Sequence, residues 1–196
     1  MDRELTGFIL AGGASRRMGT PKAFVRLNGK QLIDYAWEAL KEVAPRVMLS
    51  AGKLPLSYRD LPVVQDLFVD HGPVGGIYSA LRSSPTELNL VLSCDMPFVS
   101  VDLLNLLVDA AANHPFDITL PVDEQGLLQP LCAVYRKNMV PYLERAILQK
   151  ELKLKMIIQR INYQAIPIEK SHPVYHPRLF YNMNTPEDIV SQTVFS

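Results

Sequence analysis

The chain has 196 residues, of which 20 are acidic and 20 basic, so its formal net charge is zero. This balance argues against a nucleic-acid-binding surface and against a patch for anionic membranes, because both need an excess of positive charge. A hydrophobic fraction of 48% over this length is sufficient for one globular domain spanning residues 1–196.

The N-terminus and the cysteines indicate a cytoplasmic protein. Charged residues 2–4 precede the first apolar run, which is not the pattern of a signal peptide, and no apolar run approaches the length of a membrane span. Cys94 and Cys132 lie in apolar runs without the spacing of metal ligands. We therefore expect both thiols to be reduced core residues. From the balanced charge and the short apolar runs, we expect neither nucleic acid nor a membrane as a partner.

The first predicted strand leads into a glycine-rich loop. Leu5 to Leu10 is a short apolar run, and residues 11–22 then contain three glycines together with Arg16, Arg17 and Lys22. Glycines let a backbone approach a ligand closely, and successive N–H groups in such a loop bind anions. The spacing is neither that of a Walker loop nor that of a dinucleotide-binding G-x-G-x-x-G motif. The stretch predicts a phosphate-binding loop, with a tight turn carrying solvated arginines as the alternative.

Predicted helices and predicted strands alternate through the rest of the chain. The predicted helices are Gln31–Val43, Val74–Leu81, Ser100–Asn113, Asn138–Lys150 and Leu152–Arg160. The predicted strands are Arg46–Ala51, Pro62–Gln65, Leu88–Leu92, Asp117–Pro121, Leu127–Arg136 and Tyr163–Ile168. Alternation with short connections predicts an α/β fold, a three-layer α/β/α sandwich with a mostly parallel sheet, in which the segment 127–136 is a candidate antiparallel strand.

Two aspartates follow predicted strands. Asp66 opens a loop that runs to Gly76 and contains three glycines and a proline, so a ligand could approach its backbone closely. Asp95 lies just past a buried strand, where open α/β sheets bind ligands, and a carboxylate there suits Mg²⁺. The alternative for Asp66 is an ordinary loop. The alternative for Asp95 is a helix-capping or turn role, but Ser100 already supplies a cap for the next helix, which weakens this alternative.

The C-terminal segment 180–188 predicts a helix start. Thr185 and Asp188 have the spacing of a capping box, and Pro186 stands at the first helical position. If the residues before the cap form a strand, Asn182 and Asn184 lie on the same face of it.

Residues Leu10 to Lys22 read L-A-G-G-x-S-x-R-M-G-x-x-K and resemble the signature loop of the nucleotidyltransferases that form sugar nucleotides. Within that group they are most similar to the molybdenum cofactor guanylyltransferase family. Four later segments also resemble motifs of this family: residues 66–76, D-M-P-F at 95–98, Q-P-L at 129–131 and N-x-N-T-P-E-D at 182–188. The resemblance therefore covers nearly the whole chain and implies a Rossmann-like nucleotidyltransferase fold.

The resemblance also implies an activity and roles for particular residues. It implies transfer of GMP from GTP to molybdopterin, with release of pyrophosphate, and it makes other molybdenum cofactor biosynthesis proteins candidate partners. The implied catalytic residues are Arg17 and Lys22, which would hold the triphosphate, and Asp95, which would bind Mg²⁺. The further implied nucleotide contacts are Leu10, Ala11, Gly12, Gly13, Ser50 and Asp66. The implied acceptor contacts are Gln129, Asn182 and Asn184.

Three alternatives stay open, and Ser50 bears on the first. It stands where the family often has an asparagine that helps to read guanine, although a serine hydroxyl can also donate or accept a hydrogen bond. A cytidylyltransferase acting on molybdopterin is a close relative, but its loop usually reads L-A-A-G. A sugar-1-phosphate nucleotidyltransferase is usually longer. A non-catalytic nucleotide-binding subunit would be expected to lack charged site residues such as Lys22 and Asp95.

Overall fold

A seven-stranded sheet forms the centre of the protein in a computed structural model that describes residues 4–12, 21–185 and 187–188. The strands of the described residues are β1 (Leu5–Leu10), β2 (Arg26–Leu27), β3 (Lys30–Gln31), β4 (Arg46–Ser50), β5 (Val63–Val64), β6 (Leu88–Ser93), β7 (Ile118–Val122), β8 (Cys132–Arg136) and β9 (Tyr163–Pro167). The α-helices are α1 (Leu32–Lys41), α2 (Gly72–Ser83), α3 (Val101–Asn113), α4 (Val140–Leu148) and α5 (Leu154–Ile158).

The strand order in the large sheet is β5-β4-β1-β6-β8-β7-β9. β1 pairs in parallel with β4 and with β6, β4 pairs in parallel with β5, and β7 pairs in parallel with β9. Among the described strands of this large sheet, only β8 runs antiparallel to its neighbours, and it lies between β6 and β7. The prediction of a mostly parallel sheet with one late antiparallel strand is therefore confirmed.

Helices cover both faces of the sheet, and alternate side chains of β1 pack into a separate core on each face. Leu5 and Ile9 pack in a cluster with residues of α1 and α3, whereas Phe8 packs in a second cluster with residues of α2 and α4. This arrangement follows from the two-residue period of a strand that is buried on both faces. The three-layer α/β/α prediction is confirmed.

The two cysteines are core residues, as the sequence predicts. Cys94 and Cys132 are buried free thiols, and burial raises the pKa of each to about 12. No helix within the described ranges is long and apolar enough to cross a membrane.

Two predicted elements differ from the structure. The strand predicted from Leu127 begins only at Cys132, because Pro130 lacks an N–H for the sheet and lies in a turn in which Cys132 N donates to Gln129 O. The segment 181–184 is not a strand, so the prediction that Asn182 and Asn184 share a strand face is wrong.

The C-terminal segment is held instead by burial and by its cap. Met183 is fully buried, and its N–H donates to the Asp95 carbonyl at 2.9 Å. The capping box is present: Thr185 N donates to Asp188 Oδ2 at 2.8 Å, and Asp188 N donates to Thr185 Oγ1 at 3.2 Å. Pro186 lies outside the described residues.

Candidate functional site

A cleft of about 350 Å³ lies at the carboxyl ends of β1, β4 and β6. The strand register places Leu10 opposite both Ser50 and Ser93, so the chain leaves all three strands at the same edge. Ligand sites concentrate at this edge of open α/β sheets. The residues that line the cleft are Leu10, Gly12, Ser50, Gly52, Lys53, Leu54, Asp66, Asp70, Gly72, Pro73, Gly76, Ser93, Asp95 and Leu131.

The described part of the glycine-rich loop lies in this cleft. Leu10 and Gly12 line it, whereas Ala11 is buried and its N–H donates to the Ser50 carbonyl at 2.9 Å. The N–H of Ala11 is thus engaged by the neighbouring strand end and is not free to bind a nucleotide. Gly13 and Arg17, which the sequence also assigned to the site, lie outside the described residues.

The floor of the cleft combines Ser50, Asp66 and Gly76. A Cβ built on Gly76 would lie 3.5 Å from Ser50 Oγ, 3.8 Å from Asp66 Oδ1 and 3.8 Å from Leu10 Cδ2, so the glycine leaves room above α2. Asp66 Oδ1 is buried, and no hydrogen-bond partner reaches it from the described residues. Burial raises the pKa of the Asp66 carboxyl above its ordinary value. An acceptor placed in this way is suited to bind a donor group of a ligand.

The loop after Asp66 packs tightly on α2. Leu67 N donates to Ser79 Oγ at 2.9 Å, and a Cβ on Gly75 would lie only 2.7 Å from the Phe68 carbonyl oxygen. Glycine is therefore needed at position 75 for this close approach. The loop ends at the mouth of the cleft, where Lys53 and Asp70 form an ion pair with 2.8 Å between Nζ and Oδ1.

Lys22, Asp95 and Asn184 form one polar cluster at the cleft. Lys22 Nζ donates to Asp95 Oδ2 at 2.6 Å and to Asn184 Oδ1 at 2.7 Å. The side chains of Lys22 and Asp95 are only 13% and 14% exposed. Asp95 Oδ1 is buried, and none of the described residues supplies a hydrogen bond to it. The cluster joins the end of the glycine-rich loop, the end of β6 and the C-terminal segment.

The other predicted acceptor residues lie elsewhere. Gln129 Nε2 donates to Asp123 Oδ2 at 2.9 Å, and Asp123 lines a separate cavity of about 180 Å³ together with Tyr181. Asn182 Nδ2 donates to the Phe180 carbonyl at 3.3 Å. The structure thus brings Asn184 to Lys22 but does not bring Gln129 or Asn182 into contact with this cluster.

Sequence reasoning missed the ion pair at the mouth of the cleft. Asp70 lies in the loop that was predicted to approach a ligand, so the loop itself was a signal for it. Lys53 had no such signal, because it follows a turn glycine in a segment without a motif. Its position depends on the pairing of β4 with β5, which brings the two loops together.

Known proteins resemble this chain over most of its length. Residues 7–165 match the family described as the MobA-like NTP transferase domain. A probable molybdenum cofactor guanylyltransferase of Pelotomaculum thermopropionicum is 35% identical over 199 residues, which cover 98% of this chain and 94% of that protein. Its counterpart in Flavobacterium johnsoniae is 34% identical over 168 residues, or 85% of this chain and 87% of that protein.

A solved structure agrees with the sequence relatives. The molybdopterin-guanine dinucleotide biosynthesis protein A of Archaeoglobus fulgidus superposes with a TM-score of 0.80 at 30% identity, and the match covers 97% of both chains. The extent of these matches, together with the glycine loop and the cleft at the carboxyl edge of the sheet, shows that the chain belongs to the MobA-like NTP transferase family.

Proposed function

We propose that this protein transfers the guanylyl group of GTP to the phosphate of molybdopterin and releases pyrophosphate. The observation that carries this proposal is the Lys22–Asp95–Asn184 cluster, which reaches the cleft through Asp95 and has Nζ 2.6 Å from the carboxylate and 2.7 Å from the amide oxygen. A cation and a carboxylate at the end of a parallel strand are the groups that nucleotidyl transfer needs. The names of the relatives support guanylyl as the group and molybdopterin as the acceptor.

The nucleoside would lie over Ser50 and Asp66. The free lone pairs of Asp66 Oδ1 can accept from a ribose hydroxyl or from a donor of the base, and Gly76 leaves space for that contact. The backbone from Leu10 to Gly13 would approach the nucleotide closely because glycines follow the strand. Lys22 and Arg17 would bind the triphosphate by charge-assisted hydrogen bonds.

Asp95 fits a divalent cation. Its Oδ1 atom is buried without a hydrogen-bond partner among the described residues, and a hard carboxylate oxygen suits Mg²⁺, which protein sites hold through one or two carboxylates together with substrate phosphates. When it is bound, Mg²⁺ neutralises charge on the phosphoryl oxygens.

The chemistry then requires positioning rather than a strong base. An oxygen of the acceptor's phosphate attacks the α-phosphorus of GTP, the bond from the α-phosphorus to its bridging oxygen breaks, and pyrophosphate leaves with that electron pair. The attacking phosphate oxygen is already ionised near neutral pH, so no side chain has to remove a proton. The ammonium of Lys22 stabilises the charge that develops on the leaving pyrophosphate.

The acceptor would enter from the C-terminal side. Asn184 lies beside Lys22, and the cavity lined by Asp123 and Tyr181 borders the segment that carries Asn182. Gln129 is oriented by Asp123 on the same side. These residues are the proposed contacts for molybdopterin.

Pyrophosphate release with GTP, molybdopterin and Mg²⁺ tests the proposal directly. CTP, ATP and UTP in parallel reactions test the base, and a sugar 1-phosphate in place of molybdopterin tests the acceptor. We expect release that depends on both GTP and molybdopterin. Faster release with CTP would favour the cytidylyl activity, and binding of nucleotides without any release would favour a non-catalytic subunit.

A further inference from the structure

The ammonium of Lys22 contacts the carboxylate that the proposed function assigns to a divalent cation. Nζ lies 2.6 Å from Asp95 Oδ2, and Asn184 Oδ1 accepts a second hydrogen bond from it at 2.7 Å. Both charged side chains are mostly buried, so water and salt screen their attraction only weakly. Asp95 therefore already has a cationic partner, which is supplied by the chain itself.

A divalent cation and this ammonium would weaken each other's binding to Asp95. The two oxygens of a carboxylate are bonded to one carbon, so a cation on Oδ1 or Oδ2 would lie close to Nζ, which contacts Oδ2. Repulsion between the two positive charges is strong where solvent is largely excluded. Asn184 is neutral, so it can accept from Nζ without adding a charge that would offset this repulsion.

We propose that Lys22 competes with the divalent cation for Asp95, so that the cation binds tightly only when a triphosphate draws the ammonium away. This inference rests on the proposed function for the identity of the triphosphate. The flexible four-carbon stem of a lysine allows its ammonium to change partners, and a triphosphate offers it more negative charge than one carboxylate. Binding of the triphosphate by Lys22 and binding of the divalent cation by Asp95 are thus coupled, because Lys22 and the cation share the Asp95 carboxylate.

The coupling has a thermodynamic consequence. If the nucleotide raises the affinity for the cation by releasing Asp95, the cation must raise the affinity for the nucleotide by the same factor. A chain without the Lys22 ammonium should bind the cation well on its own, and its cation affinity should then depend less on nucleotide.

Binding of Mn²⁺ to the protein without nucleotide tests the competition. Free Mn²⁺ is measured by electron paramagnetic resonance during titration of wild type, Lys22→Met, Asp95→Asn and the double variant. An opposite charge this close changes the affinity of a carboxylate for a proton by roughly ten- to a thousandfold. We therefore expect Lys22→Met to bind Mn²⁺ at least about tenfold more tightly than wild type. The double variant should lose this gain.

Three further variants control for charge and folding. Lys155→Met removes the same charge from an exposed position of α5 and should bind Mn²⁺ as wild type does. Lys22→Arg keeps the charge and should not gain affinity. Lys22→Gln removes the charge but keeps a donor for Asp95, and it carries the same prediction if the methionine variant has a low melting temperature.

Equal Mn²⁺ affinity of wild type and the two uncharged Lys22 variants would overturn the inference. A gain that survives Asp95→Asn would also overturn it, because the cation would then bind elsewhere. These outcomes are independent of the assay for the proposed function. Failure to release pyrophosphate from GTP would contradict the activity, whereas it would leave the competition at Asp95 measurable.

Discussion

Gly12 and Gly52 pack backbone against backbone beside the cleft. A Cβ on Gly12 would lie 2.6 Å from both the Cα and the nitrogen of Gly52, and Gly52 itself has a φ of +62°. The contact exists because β1 and β4 are neighbours, so the loops that follow them leave the sheet side by side. Asp66 N donates to the Gly52 carbonyl at 3.0 Å, and this bond ties a third loop to the pair.

The Gly12→Ala variant should lose stability and nucleotide binding together. Its methyl group would meet backbone atoms that cannot move without displacing β4, and overpacking of this kind costs about 1–3 kcal/mol. Chemical denaturation measures the free energy of unfolding, and calorimetry measures GTP binding. An alanine variant with the stability of wild type would mean that the two loops can separate freely.

The Gly76→Ala variant should separate stability from binding. The added methyl group makes ordinary contacts at 3.5 Å and beyond, and alanine in place of glycine inside α2 stabilises a helix by about 0.5–1 kcal/mol. It also projects toward Ser50 and Asp66, where the nucleoside is proposed to lie. We expect an unchanged or higher melting temperature and weaker GTP binding. Unaltered GTP affinity would place the nucleoside away from this part of the floor.

Replacing Asp66 by asparagine should stabilise the protein at neutral pH. Burial raises the pKa of this carboxyl, so the folded protein binds the proton more tightly than the unfolded chain does. Its contribution to stability is full below the ordinary pKa of 3.8 and is lost as the pH rises through the folded-state pKa. Asparagine does not titrate, so Asp66→Asn should be more stable than wild type at neutral pH.

Unfolding measured from neutral pH to below the ordinary carboxyl pKa checks this expectation. The difference between Asp66→Asn and wild type should shrink as the pH falls, because the wild-type carboxyl becomes neutral as well. GTP binding at neutral pH should weaken despite the higher stability. A variant whose advantage does not change with pH would show that Asp66 is not the titrating group.

The Asp95→Asn variant should fold and still bind GTP, but its turnover should fall by at least about a hundredfold, the scale on which preorganised charge stabilisation is lost. The backbone carbonyl of Asp95, which accepts from Met183 N at 2.9 Å, is retained, so the C-terminal segment keeps its anchor. Pyrophosphate release is compared with wild type over a range of Mg²⁺ concentrations. Partial recovery at high Mg²⁺ is expected if the defect is metal affinity, and turnover at the wild-type rate would exclude Asp95 as the metal ligand.

The two asparagines of the C-terminal segment should behave differently. Asn184→Ala removes one of the two hydrogen bonds that hold the Lys22 ammonium beside Asp95 in the free protein. Because a triphosphate is proposed to draw this ammonium away, GTP binding should tighten rather than weaken. Asn182→Ala removes only a 3.3 Å bond to the Phe180 carbonyl, so GTP binding should be unchanged while the KM for molybdopterin rises. Weaker GTP binding in the Asn184→Ala variant would contradict this division.

Short-range patterns predicted most of the individual elements. The helical period predicted α1, and the structure shortens the predicted Gln31–Val43 only to Leu32–Lys41. The spacing of Thr185 and Asp188 predicted a cap that the structure contains. Such features depend on neighbours within a few residues, and these are fixed by the chain itself.

The sequence alone determined that strands and helices alternate, that glycines follow β1, and that Asp95 stands just past a buried strand. Only the tertiary structure decided that Lys22 meets Asp95 across 73 positions and Asn184 across 162. It also decided that the side chain of Asn184 accepts a hydrogen bond from Lys22, whereas that of Asn182 donates to the Phe180 carbonyl. The reason is physical: those contacts depend on strand order and on how the C-terminal segment is buried, and no local period of the sequence encodes either.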